Sequence, residues 1–169
     1  NESYALAKIA GIRLCKSLLI QYRFDAISLM PTNLYGPGDN YDLNNSHVLP
    51  ALIKKFYRAK IDNHKEVICW GSGNPYREFL HVDDLAKACL FALERWDPFS
   101  SDAPKDEKNN NLSFLNVGTG KEIQIKELAK LIAEILNYKG DIIWDTNRPD
   151  GTPRKQLDIS RLSKLGWHP

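Results

Sequence analysis

Tyr4-Ala5-Leu6-Ala7-Lys8 opens a run in which Leu6, Ile9, Ala10, Leu14, Leu18 and Leu19 recur at helical spacing, and Phe24-Asp25 then turns the chain into Ala26-Ile27-Ser28-Leu29-Met30-Pro31. The spacing predicts a helix from Glu2 to about Arg23. The short apolar run closed by proline reads as a buried strand of the parallel kind. Helix, short loop and buried strand make half of a βαβ unit, so the fold class is α/β. Tyr4 and Lys8, four residues apart, lie one above the other on a single helix face. A free tyrosine ionises near pH ~10, and a neighbouring cation favours the phenolate. A phenol so placed can give or take the proton that carbonyl reduction and alcohol oxidation require. Alone the pair is weak evidence, because Tyr-x-x-x-Lys arises by chance on many amphipathic helices.

Outward from this stretch, Pro31-Thr32-Asn33-Leu34-Tyr35-Gly36-Pro37-Gly38 reads as a rigid loop at the carboxyl end of the strand, where open α/β sheets bind their ligands. A polar stretch to Ser46 and His47 precedes a helix expected over Val48 to Ala59. Glu66 to Gly71 reads as a strand, Gly71-Ser72-Gly73-Asn74-Pro75 as a turn, and the first part of the stretch from Tyr76 to Asp84 as a second, short strand. Asp83 or Asp84 is expected to cap an apolar helix through Leu93. Asp97 to Ser113, with Pro98, Pro104 and Asn109-Asn110-Asn111, reads as a mobile surface loop. A strand at Phe114–Val117, a Gly118-Thr119-Gly120 turn, a helix from Ile125 to Leu136 with Leu128, Leu131, Ile132 and Ile135 as its apolar residues, and a strand at Asp141–Trp144 follow. The loop from Asp145 to Lys155 and a last helical turn at Ser160–Leu165 complete the chain.

Composition bounds the function. The chain has 169 residues, 43% hydrophobic and 26% charged, which suits one folded domain of ordinary make-up. A net charge of +2 is too small to imply nucleic acid or an anionic membrane as partner. No apolar run approaches the ~20 residues of a membrane span, and no signal peptide is read at the start. The cysteines Cys15, Cys69 and Cys89 have neither metal-ligand spacing nor a disulfide framework. Cys15 and Cys89 read as small core residues, and the set points to a reducing, cytoplasmic setting. A helix starting at residue 2 without a cap before it suggests a piece of a longer protein.

Tyr4-x-x-x-Lys8, Met30-Pro31-Thr32-Asn33-Leu34-Tyr35-Gly36-Pro37, Arg77-Glu78-Phe79-Leu80-His81-Val82-Asp83-Asp84 and Asn116-Val117-Gly118-Thr119-Gly120 together resemble the extended short-chain dehydrogenase/reductases that act on nucleotide-sugars. Asn45-Ser46-His47-Val48-Leu49-Pro50 and Pro149-Asp150-Gly151-Thr152-Pro153-Arg154-Lys155 narrow the likeness to the GDP-L-fucose synthases, NADPH-dependent epimerase-reductases of GDP-4-keto-6-deoxy-D-mannose. The resemblance implies an NAD(P)-binding Rossmann-like doubly wound sheet, present only in its C-terminal part, with a smaller α/β substrate-binding domain. Residues 1–37 would be the tail of the dinucleotide-binding domain. Residues 38–169 would be mostly the nucleotide-sugar domain, with segments around 77–96 and 114–120 returning to the first.

The family's roles transfer position by position. Tyr4, Lys8 and His47 would be catalytic: Tyr4 protonating the sugar C4 oxygen, Lys8 tuning the phenol and holding the nicotinamide ribose, His47 serving as acid in the epimerisations at C3 and C5. NADP would lie against Tyr4, Lys8, Pro31, Thr32, Asn33, Leu34 and His47. Lys55, Trp70, Arg77 and Asp150 would hold the GDP-sugar, and no metal is implied. Physical chemistry agrees: a diphosphate wants a guanidinium fork and a point charge, an indole can cover a sugar or base face, and an imidazole titrating near pH ~6.5 suits reprotonation beside a ketone. A homodimer through the Tyr4–Arg23 helix is also implied.

Blander readings stand beside these. His64 reads as solvated, His81 as a brace for the Asp83-Asp84 turn, and Trp96, Trp144 and Trp167 as packing residues. Arg154-Lys155 reads equally as a solvated pair or as residues with a phosphate-binding or loop-anchoring role. Gly118-Thr119-Gly120 lacks the spacing of a dinucleotide loop. The family's Gly-rich loop, its third catalytic residue (a serine) and its cysteine base would precede Asn1, so the chain alone is expected to be inactive. Two rivals remain: an NAD-dependent epimerase or dehydratase for another nucleotide-sugar, and a non-catalytic nucleotide-sugar binding module.

Overall fold

The computed structural model describes residues 2–43 and 45–169. The elements in order are α1 (Glu2–Tyr22), β1 (Ser28–Pro31), β2 (Asn33–Tyr35), α2 (Val48–Ile61), β3 (Glu66–Trp70), β4 (Tyr76–His81), α3 (Val82–Arg95), β5 (Phe114–Val117), β6 (Glu122–Gln124), α4 (Ile125–Ile135), β7 (Asp141–Asp145), β8 (Arg154–Lys155) and α5 (Ser160–Lys164). They form two compact units, one of residues 1–32, 83–119 and 157–169, the other of residues 33–82 and 120–156.

In the first unit β1 and β5 pair in parallel, Leu29 opposite Leu115, and the ladder continues through the Thr32 N–H to the Val117 carbonyl at 2.9 Å. Leu115, Val117, Ala88, Ala92, Trp96, Leu162 and Trp167 are buried here, so Trp96 and Trp167 are packing residues as expected. Among the residues of α1 only Leu19 is buried. The helix ends where Arg23 takes a left-handed φ of 52° and lays its guanidinium over Phe99, 4.6 Å from the ring centroid. The stretch from Asp97 to Ser113 folds back on itself. The Asp106 carboxylate accepts the N–H and side-chain amide of Asn110 and, more weakly, the Lys108 N–H, which hold it below the usual carboxylate range, and Ala103, Leu112 and Ser113 are buried.

The second unit holds the larger core. β3 and β7 run parallel in register from Glu66↔Asp141 to Trp70↔Asp145. α2 and α4 pack over them, burying Leu52, Phe56, Ala59, Val67, Cys69, Ile125, Leu128, Ala129, Ile132 and Ala133. Pro50 sits in the first turn of α2, where the missing N–H costs nothing, and Arg58 and Lys60 lie in the last turn, where the helix dipole favours cations. Phe56 is fully buried and meets Tyr138 edge-on at 5.6 Å. Strand β4 serves different partners along its length: Phe79–His81 pair in parallel with β2, Tyr76–Glu78 antiparallel with β6, and Tyr76-Arg77 in parallel with β8. Glu78 has no exposed surface, and its carboxylate accepts the Gly120 N–H at 2.8 Å. A buried carboxylate needs such a partner.

Several expectations change. Asn33–Tyr35 and Arg154-Lys155, read as loops, are short strands, and β6 adds a third. Asp83 and Asp84 lie inside the first turn of α3, which begins at Val82, so neither is the cap. On α4 the buried face runs through 125, 128, 129, 132 and 133, while Leu131 and Ile135 are exposed. Cys89 is exposed and Cys15 half-buried; Cys69 is the buried cysteine. Truncating Phe56→Ala should lower the unfolding free energy by about 3–5 kcal/mol, because the cavity it leaves is walled by two helices and a sheet. Urea titration followed by circular dichroism checks this, and a loss under ~1 kcal/mol would contradict the packing described.

Candidate active site

The first unit carries the Tyr-Lys pair. One turn of α1 separates the two residues, and the Lys8 ammonium lies 5.4 Å from the centroid of the Tyr4 ring. Tyr4 is 67% exposed, so its hydroxyl is free to meet a ligand. Pro31 ends β1, Thr32 is buried, and the chain enters the second unit at Asn33, whose side-chain amide donates to the Glu78 carbonyl at 2.8 Å. Asn33 and Leu34 are therefore ladder residues of β2, opposite Phe79 and Leu80. The segment Pro31–Leu34 is thus held by main-chain bonding at both ends.

The second unit gathers the remaining site residues. His47 immediately precedes α2, and its carbonyl accepts the Ala51 N–H while its imidazole makes no capping bond. Lys55 lies in the middle of α2. The Lys55 ammonium donates to the Ile68 carbonyl at 2.9 Å and stands 5.2 Å from the Trp70 ring centroid. Lys55, Trp70, Ser46, Val48, Cys69 and Trp144 help line a cavity of about 220 Å³, with an apolar floor and a cation at its rim. Trp144 thus lines this cavity as well as packing against the core. Burial pushes the Cys69 thiol up to about 11, against the pull of the Lys55 charge.

Arg77 faces a different neighbour. Its Nη1 donates to the carbonyls of Tyr76 and Thr152, both at 2.6 Å, tying the 150–153 loop to β4. Asp150 accepts from Ser72, through the N–H at 2.9 Å and the hydroxyl at 2.6 Å. These two bonds, the hydroxyl's first, hold the Asp150 carboxyl below its usual range. Asp150 lines a second cavity of about 310 Å³ beside Tyr76 and Arg154. Arg154 Nε donates to the Glu122 carboxylate at 2.8 Å. His64 is exposed, and His81 stacks edge-on against Tyr35 at 5.2 Å.

The structure therefore brings together Tyr4 with Lys8, Lys55 with Trp70, and Arg77 and Asp150 with the two ends of one short loop segment. Sequence reading passed over Arg148, whose guanidinium lies 4.9 Å from the Trp70 ring centroid, and Ser72, the partner of Asp150. Each is separated from its partner by more than seventy positions, so no local pattern announces it. Among the described residues no cluster of three His, Cys, Asp or Glu could hold a metal ion, and no helix is long and apolar enough to cross a membrane.

Residues 1–103 match the NAD dependent epimerase/dehydratase family. The chain belongs to that family. Within this epimerase/dehydratase family, the chain is 53% identical over all 169 residues to a putative GDP-L-fucose synthase 2 of Arabidopsis thaliana, and covers 48% of that protein. It is 51% identical over 168 residues to a GDP-L-fucose synthase of Escherichia coli strain K12, covering 99% of this chain and 51% of that protein. A GDP-mannoheptose C4 reductase from Campylobacter jejuni, solved with NADP bound, superposes with a TM-score of 0.80 at 32% identity, covering 98% of this chain and 55% of that one. The chain thus spans about half the length of the curated relatives it matches.

The cavity chemistry makes a prediction about Cys69. With its thiol raised to about 11, it should react with iodoacetamide at pH 8 about a hundredfold more slowly in the folded protein than after unfolding. Peptide mass spectrometry of the two labelling reactions measures this; equal rates would mean the thiol is not shielded.

Proposed function

We propose that the protein of which this chain forms part converts GDP-4-keto-6-deoxy-D-mannose to GDP-L-fucose, epimerising C3 and C5 and reducing C4 with NADPH. Support comes from the likeness along all 169 residues to proteins named GDP-L-fucose synthase, and the observation that carries it is the contact between Lys8 and Tyr4 on an exposed helix face. Residues 1–37 belong in this reading to the dinucleotide-binding domain, and 38–169 mostly to the nucleotide-sugar domain, with 77–96 and 114–120 returning to the first. The protein works in the cytoplasm as a homodimer joined through the Tyr4–Arg23 helix, whose apolar residues Leu6, Ile9, Leu14 and Ile20 are exposed.

The donor set fits a nicotinamide cofactor: an exposed phenol and an ammonium on one helix face can both bond ribose hydroxyls. Lys8 and Tyr4 hold the ribose in this reading, with Pro31, Thr32, Asn33, Leu34 and His47 beside the nicotinamide. The hydride for C4 comes from NADPH when it is bound. The C4 ketone acidifies the hydrogens on C3 and C5, so a proton taken there by the cysteine base that this reading places ahead of Asn1 leaves an enolate that His47 reprotonates from the opposite face. Tyr4 then gives its hydroxyl proton to the C4 oxygen as charge develops there, with the Lys8 ammonium stabilising the phenolate left behind. Lys55 and Arg77 bind the diphosphate as point charge and fork, Trp70 covers a flat face, and Asp150 accepts from hydroxyl or amine donors of the GDP-sugar. To reach the diphosphate, Arg77 presents the donors left free by its bonds to the Tyr76 and Thr152 carbonyls.

NADPH absorbance followed with GDP-4-keto-6-deoxymannose and the full-length protein tests this, with NADH and a dTDP-4-keto sugar as controls. Oxidation should be specific to the GDP-sugar and fall at least ~100-fold in Tyr4→Phe. Equal turnover of the dTDP-sugar would favour another nucleotide-sugar epimerase or dehydratase. GDP binding without any oxidation would favour a binding module.

A further inference from the structure

Ser72 is fixed on every side although nothing in the reaction above calls on it. It follows β3 in the Gly71-Ser72-Gly73 turn, and its hydroxyl proton goes to Asp150 Oδ2 while the same oxygen accepts the Asn74 N–H at 3.1 Å. A hydroxyl with its single proton committed and an acceptor site filled has no rotational freedom left to trade. The Ser72 N–H completes a two-point grip by donating to Oδ1. Gly71 makes room for it: its φ is +79°, and a Cβ there would run into Asp150 Oδ1. Two donors occupy one acceptor site on each carboxylate oxygen, and a carboxylate offers about four. Asp150 is exposed and lines the cavity beside Tyr76 and Arg154, so the remaining acceptor sites are open to a ligand.

We propose that Ser72 is a positioning residue for nucleotide-sugar binding, aiming the Asp150 carboxylate so that its free oxygen lone pairs meet hydroxyl or amine donors of the GDP-sugar. The inference rests on the GDP-sugar reading above. Ser72 itself does not touch the ligand; it acts through Asp150. The arrangement suits a binding role, because a carboxylate gripped at both oxygens presents its outer lone pairs in one direction and loses little freedom when a ligand arrives.

Full-length wild type, Ser72→Ala and Ser72→Thr are compared for KM and kcat toward the GDP-keto sugar and for GDP affinity by calorimetry, with Ser72→Ala repeated in an Asp150→Ala background. Ser72→Ala should raise KM and weaken GDP binding about tenfold with kcat within about twofold, the size of losing one hydrogen bond to a charged group. Ser72→Thr, which keeps the hydroxyl, should restore both. In the Asp150→Ala background the serine substitution should add less than about twofold, because its target is gone. Unchanged KM in Ser72→Ala, a full extra loss in the Asp150→Ala background, or a fall in kcat that threonine does not repair would each overturn the proposal. A wild type that neither binds GDP nor oxidises NADPH with the GDP-sugar brings down the functional reading and this inference together, whereas an active wild type indifferent to Ser72 brings down the inference alone.

Discussion

Parallel strand pairing is the constraint on which the rest of this molecule depends. β1 with β5, β2 with β4, β3 with β7 and β8 with β4 all run in the same direction. A parallel neighbour cannot be reached by a tight turn, so the chain must cross over before it pairs. Parallel neighbours also finish at the same edge, and the loops that follow them emerge together. β3 ends at Trp70 opposite Asp145, the last residue of β7, and the Gly71 N–H extends the ladder to the Asp145 carbonyl. From that shared edge the 71–75 turn and the 146–153 loop leave side by side. The contacts of Arg148 with Trp70 and of Ser72 with Asp150 follow from it. Open α/β sheets place ligands outside the carboxyl ends of their strands for the same reason.

How much of this could be read beforehand varied with the range of the interaction. The helices were legible because their periodicity is written in consecutive residues, and α1, α2 and α4 begin within a residue of where the spacing put them. The apolar face of α4 was legible only as a stripe. Its sequence offers Leu131 and Ile135 as readily as Ala129 and Ala133, and only the packing of α2 decides that the small residues go inward. The short strands β2, β6 and β8 were not legible at all. A strand of two or three residues has no period to detect, and each exists because β4 supplies the missing hydrogen-bonding groups.

The site shows the same division. Tyr4 and Lys8 are neighbours on one helix, so their contact could be derived from spacing alone. Lys55 and Trp70 were named through resemblance, and spacing gave no hint that a lysine of α2 would reach across the end of β3. The resemblance likewise implied ligand-binding roles for Arg77 and Asp150 without showing their partners. Arg77 spends part of its fork on the Tyr76 and Thr152 carbonyls, and Asp150 is gripped by Ser72 of the 71–75 turn. Such commitments depend on where loops land, which no window of consecutive residues contains.

The order in which the chain visits its two units bears on how it comes into being. It passes from the first to the second at 32–33, back at 82–83, out again at 119–120 and home at 156–157. No single cut therefore releases either unit as one continuous piece. During synthesis β3 emerges before its partner β7, which is complete only once residue 145 has been made. Until residues 125–135 have been made α2 has no α4 to pack against, and the apolar faces of Leu52, Phe56 and Val67 stand without the cover that Ile125, Leu128 and Ile132 later provide. A nascent chain of this pattern completes its core late, because the β3–β7 pairing and the α2–α4 packing both wait on distant sequence, and in that interval apolar surface stands open to a chaperone.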